Sequence, residues 1–452
     1  MPSHRHGFLR PLVAIACLAA GMPSLAQGQG ATPPDSSAAD SSMRATTAPP
    51  WNPPRPVASE RPWESMVRLP GRVLTMPLSL MGYGARNYLL YVEDNNIVPR
   101  VQAIITASPR IGVYAIPASL GDHTGTGVAL EVRPPPLRGI IGGELSASTQ
   151  HYHRTRVQLA LGPLGADYLY EWRPRDQFFG IGPDSKQDSI SEFAVQDQSI
   201  RAQLTLPYQK PKQPPPRAQM SVYAGPRELV MRHGRGRKQS FEEVFPTIGA
   251  SQLDERVENL TYGWRAYLDT RSGSPHWTHG VRLDAQVDYF TATSDKNLAF
   301  ETASSDAPQF TRYFGAAETG FSFMRDPRTI RLRLRASHQD VAGGGAMRIY
   351  DLAGLGGNRG LYGFEPGRFY DLDMVVGQLS YIFPLAQHFE LDVHTELGSV
   401  YHDMLTDPTW STLQNSYGVL LRPRRNDAPL GMVGVDWSRE GVRFRFSIGG
   451  VD

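Results

Sequence analysis

The sequence predicts an all-β protein: a 16-stranded antiparallel transmembrane β-barrel with a lumen-folded loop between strands 11 and 12. Three observations predict this class. From about residue 110 onward, apolar and charged side chains alternate with a period of two, as in strands with one apolar and one polar face. The alternating segments number about sixteen, and each is about ten residues long. Their connections alternate between short and long, as the turns and external loops of a membrane barrel do.

A secretory signal peptide is predicted at residues 1–26. A basic start precedes the short apolar core PLVAIACLAAG, and small residues at Ser24 and Ala26 fit cleavage before Gln27. The core is too short to span a bilayer. The single cysteine, Cys17, lies in this leader, so the mature chain is expected to have neither disulfides nor thiol chemistry. Lipidation of Cys17 is the alternative interpretation.

Two segments separate the leader from the predicted barrel at 110–452. Residues 27–65 are rich in proline, serine and alanine, a composition that buries too little apolar surface to offset the entropy of ordering, so they are predicted to be disordered. Residues 66–109 carry apolar side chains at roughly helical spacing, interrupted by Pro77. They are predicted to form a short helical segment before the barrel.

The alternation is clearest in TIRLRLRAS, where Ile330 and Leu332 share one face and Arg331 and Arg333 share the other. A soluble β-sandwich also alternates. However, crowded arginines and carboxylates on the polar faces, large aromatics on the apolar faces and an even strand number favour the barrel. The predicted strands lie near 111–118, 126–133, 140–150, 153–161, 166–173, 192–206, 219–231, 257–270, 279–292, 312–324, 328–337, 373–383, 388–400, 416–423, 430–438 and 441–449.

The longest external loop holds the segment GLGGNRGLYGFEPGRFYD, residues 354–371. It contains six glycines and four aromatic residues: Tyr362, Phe364, Phe369 and Tyr370. Four aromatic rings exposed to water would be unfavourable, because each ring buries a large apolar area when it is enclosed. The composition therefore indicates a loop that folds into an enclosed space.

The stretch LGGNRGLYGFEPGRFYDLDMVVGQLSYIFPL resembles the loop and following strand of the BamA/TamA-type surface-antigen superfamily of outer-membrane barrels. HTELGSVY at 394–401 resembles the next strand of the family, and FFGIGPDS at 178–185 resembles a loop of its short members. The resemblance runs from about residue 110 to the C-terminus. It implies a short member without the periplasmic POTRA domains, because only about 84 residues of mature chain precede strand 1 and half of them are predicted to be disordered.

The resemblance implies that the loop turns back into the lumen and that its tip binds the inner wall. The implied loop motif consists of Arg359, Tyr362, Gly363, Phe364, Arg368, Phe369 and Asp371. The implied wall partners are Asp392, Glu396 and Gly398. Tyr362, Gly363 and Phe364 are expected inside the lumen, against strands 12 to 14. Arg359 or Arg368 is expected to pair with Glu396 or Asp392, with Arg331, Arg333 and Arg335 as rival partners.

Three features depart from the family pattern. Tyr362 stands where the tip arginine of the family usually lies, and the chain before strand 1 leaves no room for POTRA domains; these two argue against a simple transfer of the insertase function. The third departure is that the chain lacks the terminal aromatic residue that is typical of these barrels. The resemblance implies export to the Gram-negative outer membrane and a role in protein or lipid translocation or insertion there. A pore or surface scaffold that kept the fold without assembly activity is the alternative.

Composition and motifs limit the other function classes. The formal net charge is only +2, so no bulk attraction to nucleic acid is expected. The sequence has no G-x-S-x-G, H-E-x-x-H or G-x-x-x-x-G-K-[ST] motif, so no enzyme, metal site or cofactor is predicted. The expected partners are outer-membrane lipid, lipopolysaccharide and a separate periplasmic protein. The basic cluster 232–238 is interpreted as a solvated loop, with binding of lipopolysaccharide phosphates as the alternative. A homodimer is left open.

Overall fold

The structure of the protein is a computed structural model. It describes residues 112–118, 124–125, 127–134, 137, 140–207, 217–236, 238–254, 256–271, 279–292, 309–323, 328–342, 347–385, 389–406, 408–423 and 432–447. The predicted signal peptide, disordered segment and pre-barrel helix lie outside the described residues.

The described chain is almost entirely β-structure. Its long strands are β1 (Val113–Ala118), β2 (Gly127–Val132), β3 (Ile141–Ser148), β4 (His153–Leu161), β5 (Leu164–Phe178), β6 (Ser191–Leu206), β7 (Ala218–His233), β9 (Arg256–Asp269), β10 (Gly280–Ala292), β11 (Phe310–Phe323), β12 (Arg328–Val341), β15 (Asp373–Pro384), β16 (Phe389–Tyr401), β17 (Gln414–Pro423), β18 (Met432–Ser438) and β19 (Gly441–Ser447). The short ones are β8 (Gln239–Ser240), β13 (Ala353–Leu355) and β14 (Phe369–Asp371).

Short helices occupy the long connections of the described chain. Helices α1 (Phe241–Val244) and α2 (Pro246–Gln252) lie between β8 and β9. Turns of 3-10 helix lie at Ile349–Asp351, Gly357–Arg359 and Trp410–Thr412. No helix in the described part of the chain is both long and apolar enough to cross a membrane.

The long strands pair in a simple antiparallel order. Each pairs with the next long strand along the chain, so that β7 pairs with β9 and β12 with β15. The two-residue β8 pairs in parallel with β6, and β13 pairs with β14 in a separate two-stranded sheet. The all-β, antiparallel prediction is therefore confirmed. The described residues contain no ladder joining β19 to β1, so the closed 16-stranded barrel stays a prediction.

The two faces of the strands differ in the way that the alternation predicts. On β12, Leu332 is exposed, whereas the Arg331 side chain is only 11% exposed and binds another side chain. On β19, Phe444 is 83% exposed, whereas Arg443 and Arg445 bind partners on the opposite face. Exposed apolar side chains on one face and paired charges on the other are expected of strands whose outer face meets lipid.

Buried apolar side chains form two clusters. One cluster contains Phe178, Phe193, Val195, Leu229, Met231, Phe241, Ile349, Leu352 and Tyr370. The other contains Ala353, Leu355, Leu361, Phe364, Phe369, Met374, Val376 and Val400. Both clusters join strand residues to residues between β12 and β15, so this connection is part of the core of the protein.

Candidate functional site

Residues 347–372, which connect β12 to β15, lie against strands that are far apart in the sheet; we call them the inserted segment. Asp351 accepts a hydrogen bond of 2.9 Å from Arg227 of β7. Arg368 lies 2.9 Å from Glu440, in the turn between β18 and β19. Because one segment touches both β7 and the β18–β19 turn, the sheet curves around it, with the inserted segment on the concave side.

Tight backbone turns fold the inserted segment. Gly356 and Gly360 both have φ near +110°, a region that side chains with a Cβ rarely enter. The Gly356 amide donates to the Gly360 carbonyl at 2.9 Å, and the Gly357 amide donates to the Phe364 carbonyl at 3.1 Å. Glycine at these positions therefore allows the close reversal of the backbone.

The aromatic residues of the motif fill the space inside the fold. Phe364 and Phe369 are fully buried and meet edge to face, with ring centroids 5.2 Å apart. They pack in one cluster with Leu361 of the segment and Val376 and Val400 of the wall. Burying each of these rings contributes about 1.5–3 kcal/mol relative to exposure to water, so the composition of the loop is explained by its burial.

The tip of the inserted segment binds β16 through its backbone. The Tyr362 amide donates to the Glu396 carboxylate at 2.6 Å, and the Ser416 hydroxyl donates to the same carboxylate at 2.7 Å. The Tyr362 ring meets His394 edge to face at 5.7 Å. The guanidinium carbon of Arg445 lies 3.7 Å from the ring centroid. Glu396 therefore contacts the tip, but it receives a backbone amide rather than an arginine.

Gly363 and Phe364 lie against the last hairpin. The Ser438 hydroxyl donates to the Gly363 carbonyl at 2.8 Å, and Arg443 donates to the Phe364 carbonyl. A Cβ on Gly363 would lie 2.7 Å from the backbone of Trp437. The expected close approach of Gly363 to the wall is present, but the neighbour is β18 rather than strands 12 to 14, which correspond to β15–β17.

Arg368 lies at a second attachment point, remote from β16. It is 2% exposed and binds Glu440, and it also donates to the Ser185 hydroxyl at 2.7 Å and the Ser185 carbonyl at 2.6 Å. Its guanidinium lies over the Phe179 and Phe369 rings at 5.1 and 4.7 Å. The expectation that Arg368 would bind Glu396 or Asp392 is therefore wrong, because the side chain points to the junction of the β5–β6 connection with the last hairpin.

Asp392 takes its cations from β12, two strands away, and from the adjacent β17. Arg331 lies 2.9 Å from its carboxylate and Arg422 lies 3.5 Å from it, while Arg422 also pairs with Glu390 at 2.6 Å. Asp392 is 1% exposed, and a carboxylate buried to that degree requires such partners. The rival partner named from the sequence, Arg331, is the one that the structure contains.

The remaining residues of the predicted site, Arg359, Asp371 and Gly398, make contacts with nearby groups. The Arg359 side chain donates to the Tyr370 hydroxyl at 3.4 Å, and its carbonyl accepts from Arg335 at 3.1 Å. Asp371 accepts from the Leu372 amide at 2.8 Å, and burial raises the pKa of its carboxyl above the usual range. A Cβ on Gly398 would lie 2.8 Å from the Val375 carbonyl, so this position admits the neighbouring strand closely.

Sequence reasoning missed Glu440, Ser185 and Arg445. Ser185 lies in the FFGIGPDS stretch that carries part of the resemblance, so the stretch itself was a signal for it. Glu440 stands in a two-residue turn and Arg445 in an ordinary alternating strand, where nothing local distinguishes them. In the described part of the chain, no cluster of three or more His, Cys, Asp or Glu has the geometry to hold a metal.

Comparison with known proteins identifies the class. Residues 126–450, well over half of the chain, match the Omp85 superfamily domain. The chain therefore belongs to the Omp85 superfamily, and the resemblance to the BamA/TamA-type barrels is confirmed.

Two solved structures are similar to this chain, and the first of them supports the fold. The crystal structure of BamA from Haemophilus ducreyi lacking POTRA domains 1–3 is similar, with a TM-score of 0.54 and 13% identity over 75% of this chain and 70% of that one. CdiB from Escherichia coli matches with a TM-score of 0.44 and 14% identity, over 76% of this chain and 63% of that one. No curated protein matches.

Proposed function

We propose that this chain is a 16-stranded outer-membrane barrel that helps to move or insert protein or lipid at the outer membrane, with the inserted segment fixed inside its lumen. Membership of the Omp85 superfamily supports an outer-membrane location and a role in insertion or translocation. Closure between β19 and β1, export by the signal peptide and a separate periplasmic partner are parts of this proposal.

The observation that carries the proposal is the attachment of the inserted segment at two distant points. The tip binds Glu396 on β16, and Arg368 binds Glu440 in the turn between β18 and β19. A segment attached to both places occupies the concave side of the sheet and restricts passage along it. A restricted lumen favours action on a substrate at the membrane over free diffusion of solutes through the barrel.

The alternative function, a pore, is favoured by a different observation. A polar cavity of about 600 Å³ lies on the side of β4–β10, away from the inserted segment. Arg156, Arg201 and Arg265 are among the residues that line it. If this cavity continues through the barrel, solutes would pass beside the segment.

The test is reconstitution of the purified chain in liposomes, scored for two readouts in parallel. The proposal expects little solute conductance from the wild type and faster folding of a second barrel protein than in empty liposomes. A variant with the inserted segment, residues 347–372, replaced by a short Gly-Ser linker should gain conductance and lose the assistance to folding.

The opposite result separates the two functions. High wild-type conductance, unchanged by the replacement and without assisted folding, would support the pore and reject the assembly role. Heat-modifiable migration in the gel verifies that both proteins are folded before either readout is compared.

A further inference from the structure

A cavity of about 330 Å³ lies between the inserted segment and the wall formed by β11 and β12. Three arginines line it: Arg312 from β11, Arg335 from β12 and Arg359 from the segment. The other lining residues are polar and neutral or apolar: Phe314, Ser337, Gln339, Tyr350, Leu352, Ala353, Gly354, Asn358 and Met374. None of the described residues that line the cavity is a carboxylate, so its lining carries a net positive charge.

The contacts of the three arginines leave that charge largely uncompensated. Arg335 donates to the Arg359 carbonyl at 3.1 Å, and Arg359 donates to the Tyr370 hydroxyl at 3.4 Å, both of which are neutral groups. Arg312 donates to the Asp351 carbonyl at 2.7 Å and lies 3.5 Å from its carboxylate. That carboxylate is shared with Arg227, which binds it at 2.9 Å. Bringing like charges together is unfavourable unless an anion joins them.

The cavity also offers a donor with no partner. The Tyr350 hydroxyl is buried and has no hydrogen-bond partner among the described residues. Burial, followed by the nearby Asp351 carboxylate, raises the pKa of Tyr350 well above its ordinary value, so the hydroxyl keeps its proton. A buried donor left without an acceptor costs about 1–3 kcal/mol. Tyr350 belongs to the lining of the cavity, so a small movement of its hydroxyl toward a bound anion would supply the missing acceptor.

We propose that this cavity binds a phosphate-bearing anion. Guanidinium groups match phosphate oxygens in charge and geometry, and several of them can engage different oxygens of one tetrahedral group. A volume of about 330 Å³ is at the small end of ligand sites and admits a compact head rather than an acyl chain. The anion belongs either to a small soluble phosphate or to the head group of a membrane lipid.

The anion would also have a structural effect. Arg335 and Arg312 come from the wall and Arg359 from the inserted segment, so a single bound phosphate would join the segment to β11 and β12. The contacts at Glu396 and Glu440 attach the other side of the segment. This binding does not depend on whether the barrel assists folding or conducts solutes, so its test is independent of those readouts.

The test is calorimetric titration of the full chain, in non-ionic detergent at constant ionic strength, with inorganic pyrophosphate as the probe. The variants are Arg359→Gln and Arg335→Gln. Each change removes one charge-assisted contact and should weaken binding by roughly tenfold or more. The matched control is Arg265→Gln, which removes the same charge from the other cavity and should change the affinity less than about twofold.

A second arm distinguishes the two sources of phosphate. The same titration is made in lipid discs of phosphatidylcholine with and without phosphatidylglycerol. Competition from phosphatidylglycerol would assign the cavity to a lipid head group, and its absence would assign the cavity to a soluble phosphate. No saturable effect of either probe, or equal weakening by Arg265→Gln and Arg359→Gln, would overturn the proposed site.

Discussion

The guanidinium of Arg445 on β19 stacks on the ring of Tyr362 at the tip of the inserted segment, 3.7 Å from its centroid. Tyr362 occupies the position where the resemblance places the arginine of the family. In this chain the cation, Arg445, is therefore on a strand, and its aromatic partner, Tyr362, is on the inserted segment. The tip remains attached to Glu396 through the Tyr362 amide, which does not depend on the identity of the side chain.

Substitutions at Tyr362 should separate the ring from the backbone contact. Tyr362→Phe keeps both the ring and the amide and should leave stability nearly unchanged. Tyr362→Ala loses the stacking on Arg445 and should cost about 1–2 kcal/mol. Tyr362→Arg, which restores the residue of the family, should be the worst, because it places a second guanidinium against Arg445. Urea titration in detergent measures the order of stability of the three variants. A Tyr362→Arg variant as stable as wild type would contradict a stabilising contact between the Tyr362 ring and Arg445.

Breaking the buried pair of Arg368 and Glu440 should lower the unfolding free energy more than breaking an exposed pair. Glu440→Gln leaves the 2%-exposed Arg368 without a counter-charge and should cost about 3 kcal/mol of unfolding free energy. The matched change is Asp167→Asn, which breaks the pair with the 45%-exposed Arg156 side chain and should cost about 1 kcal/mol or less. Equal losses in the two variants would show that the Arg368 site is as hydrated as the surface.

A side chain at Gly363 should displace the tip. In Gly363→Ala the new Cβ would lie 2.7 Å from the Trp437 backbone, and overpacking of this kind costs about 1–3 kcal/mol. Gly142→Ala is the control, because its Cβ would meet nothing within 4 Å. Limited trypsin digestion of intact cells should cut the first variant at Arg359 or Arg368 and spare the second. Protection of both variants would contradict a tightly seated tip.

The faces of β12 should respond differently to charge. Leu332→Arg places a cation on the exposed apolar face and should cost about 2–4 kcal/mol if the residue lies at the bilayer midplane. Arg333→Leu should be tolerated better, because its partner Glu318 keeps a second contact with Arg271 at 3.0 Å. Heat-modifiable gel migration compares the two variants. Similar losses of stability in the two variants would contradict the assignment of Leu332 to the lipid-facing side and of Arg333 to the opposite side.

The strands were predictable because alternation is a local property. Each predicted strand overlaps a strand of the structure, and β4 has the predicted bounds of 153–161. The identity of the ion pairs was not predictable to the same degree. Arg331 and Arg368 both had carboxylates within plausible reach, and their partners lie 61 and 72 positions further along the chain. The choice depends on the curvature of the sheet and the path of the inserted segment, which periodicity does not encode.

Gly363 also shows that the sequence does not predict which strand a residue of the inserted segment meets. A glycine at this position predicted a close approach of the segment to a strand, and Gly363 does lie close to the Trp437 backbone. The strand that it approaches was misassigned, because a segment enclosed by a curved sheet can reach several strands with equal ease. The burial of Phe364 and Phe369, in contrast, followed from composition alone.

The attachment of Arg368 to both Ser185 and Glu440 has a consequence for how the chain reaches its folded state. Ser185 precedes Arg368 by 183 positions, whereas Glu440 follows it by 72. The junction therefore forms only after the chain from Ser185 to Glu440 is present. Loops this long are slow to close, and topologies dominated by such distant contacts fold slowly. A polypeptide that ends before Glu440 would lack the carboxylate that binds Arg368, so one attachment of the inserted segment could not form.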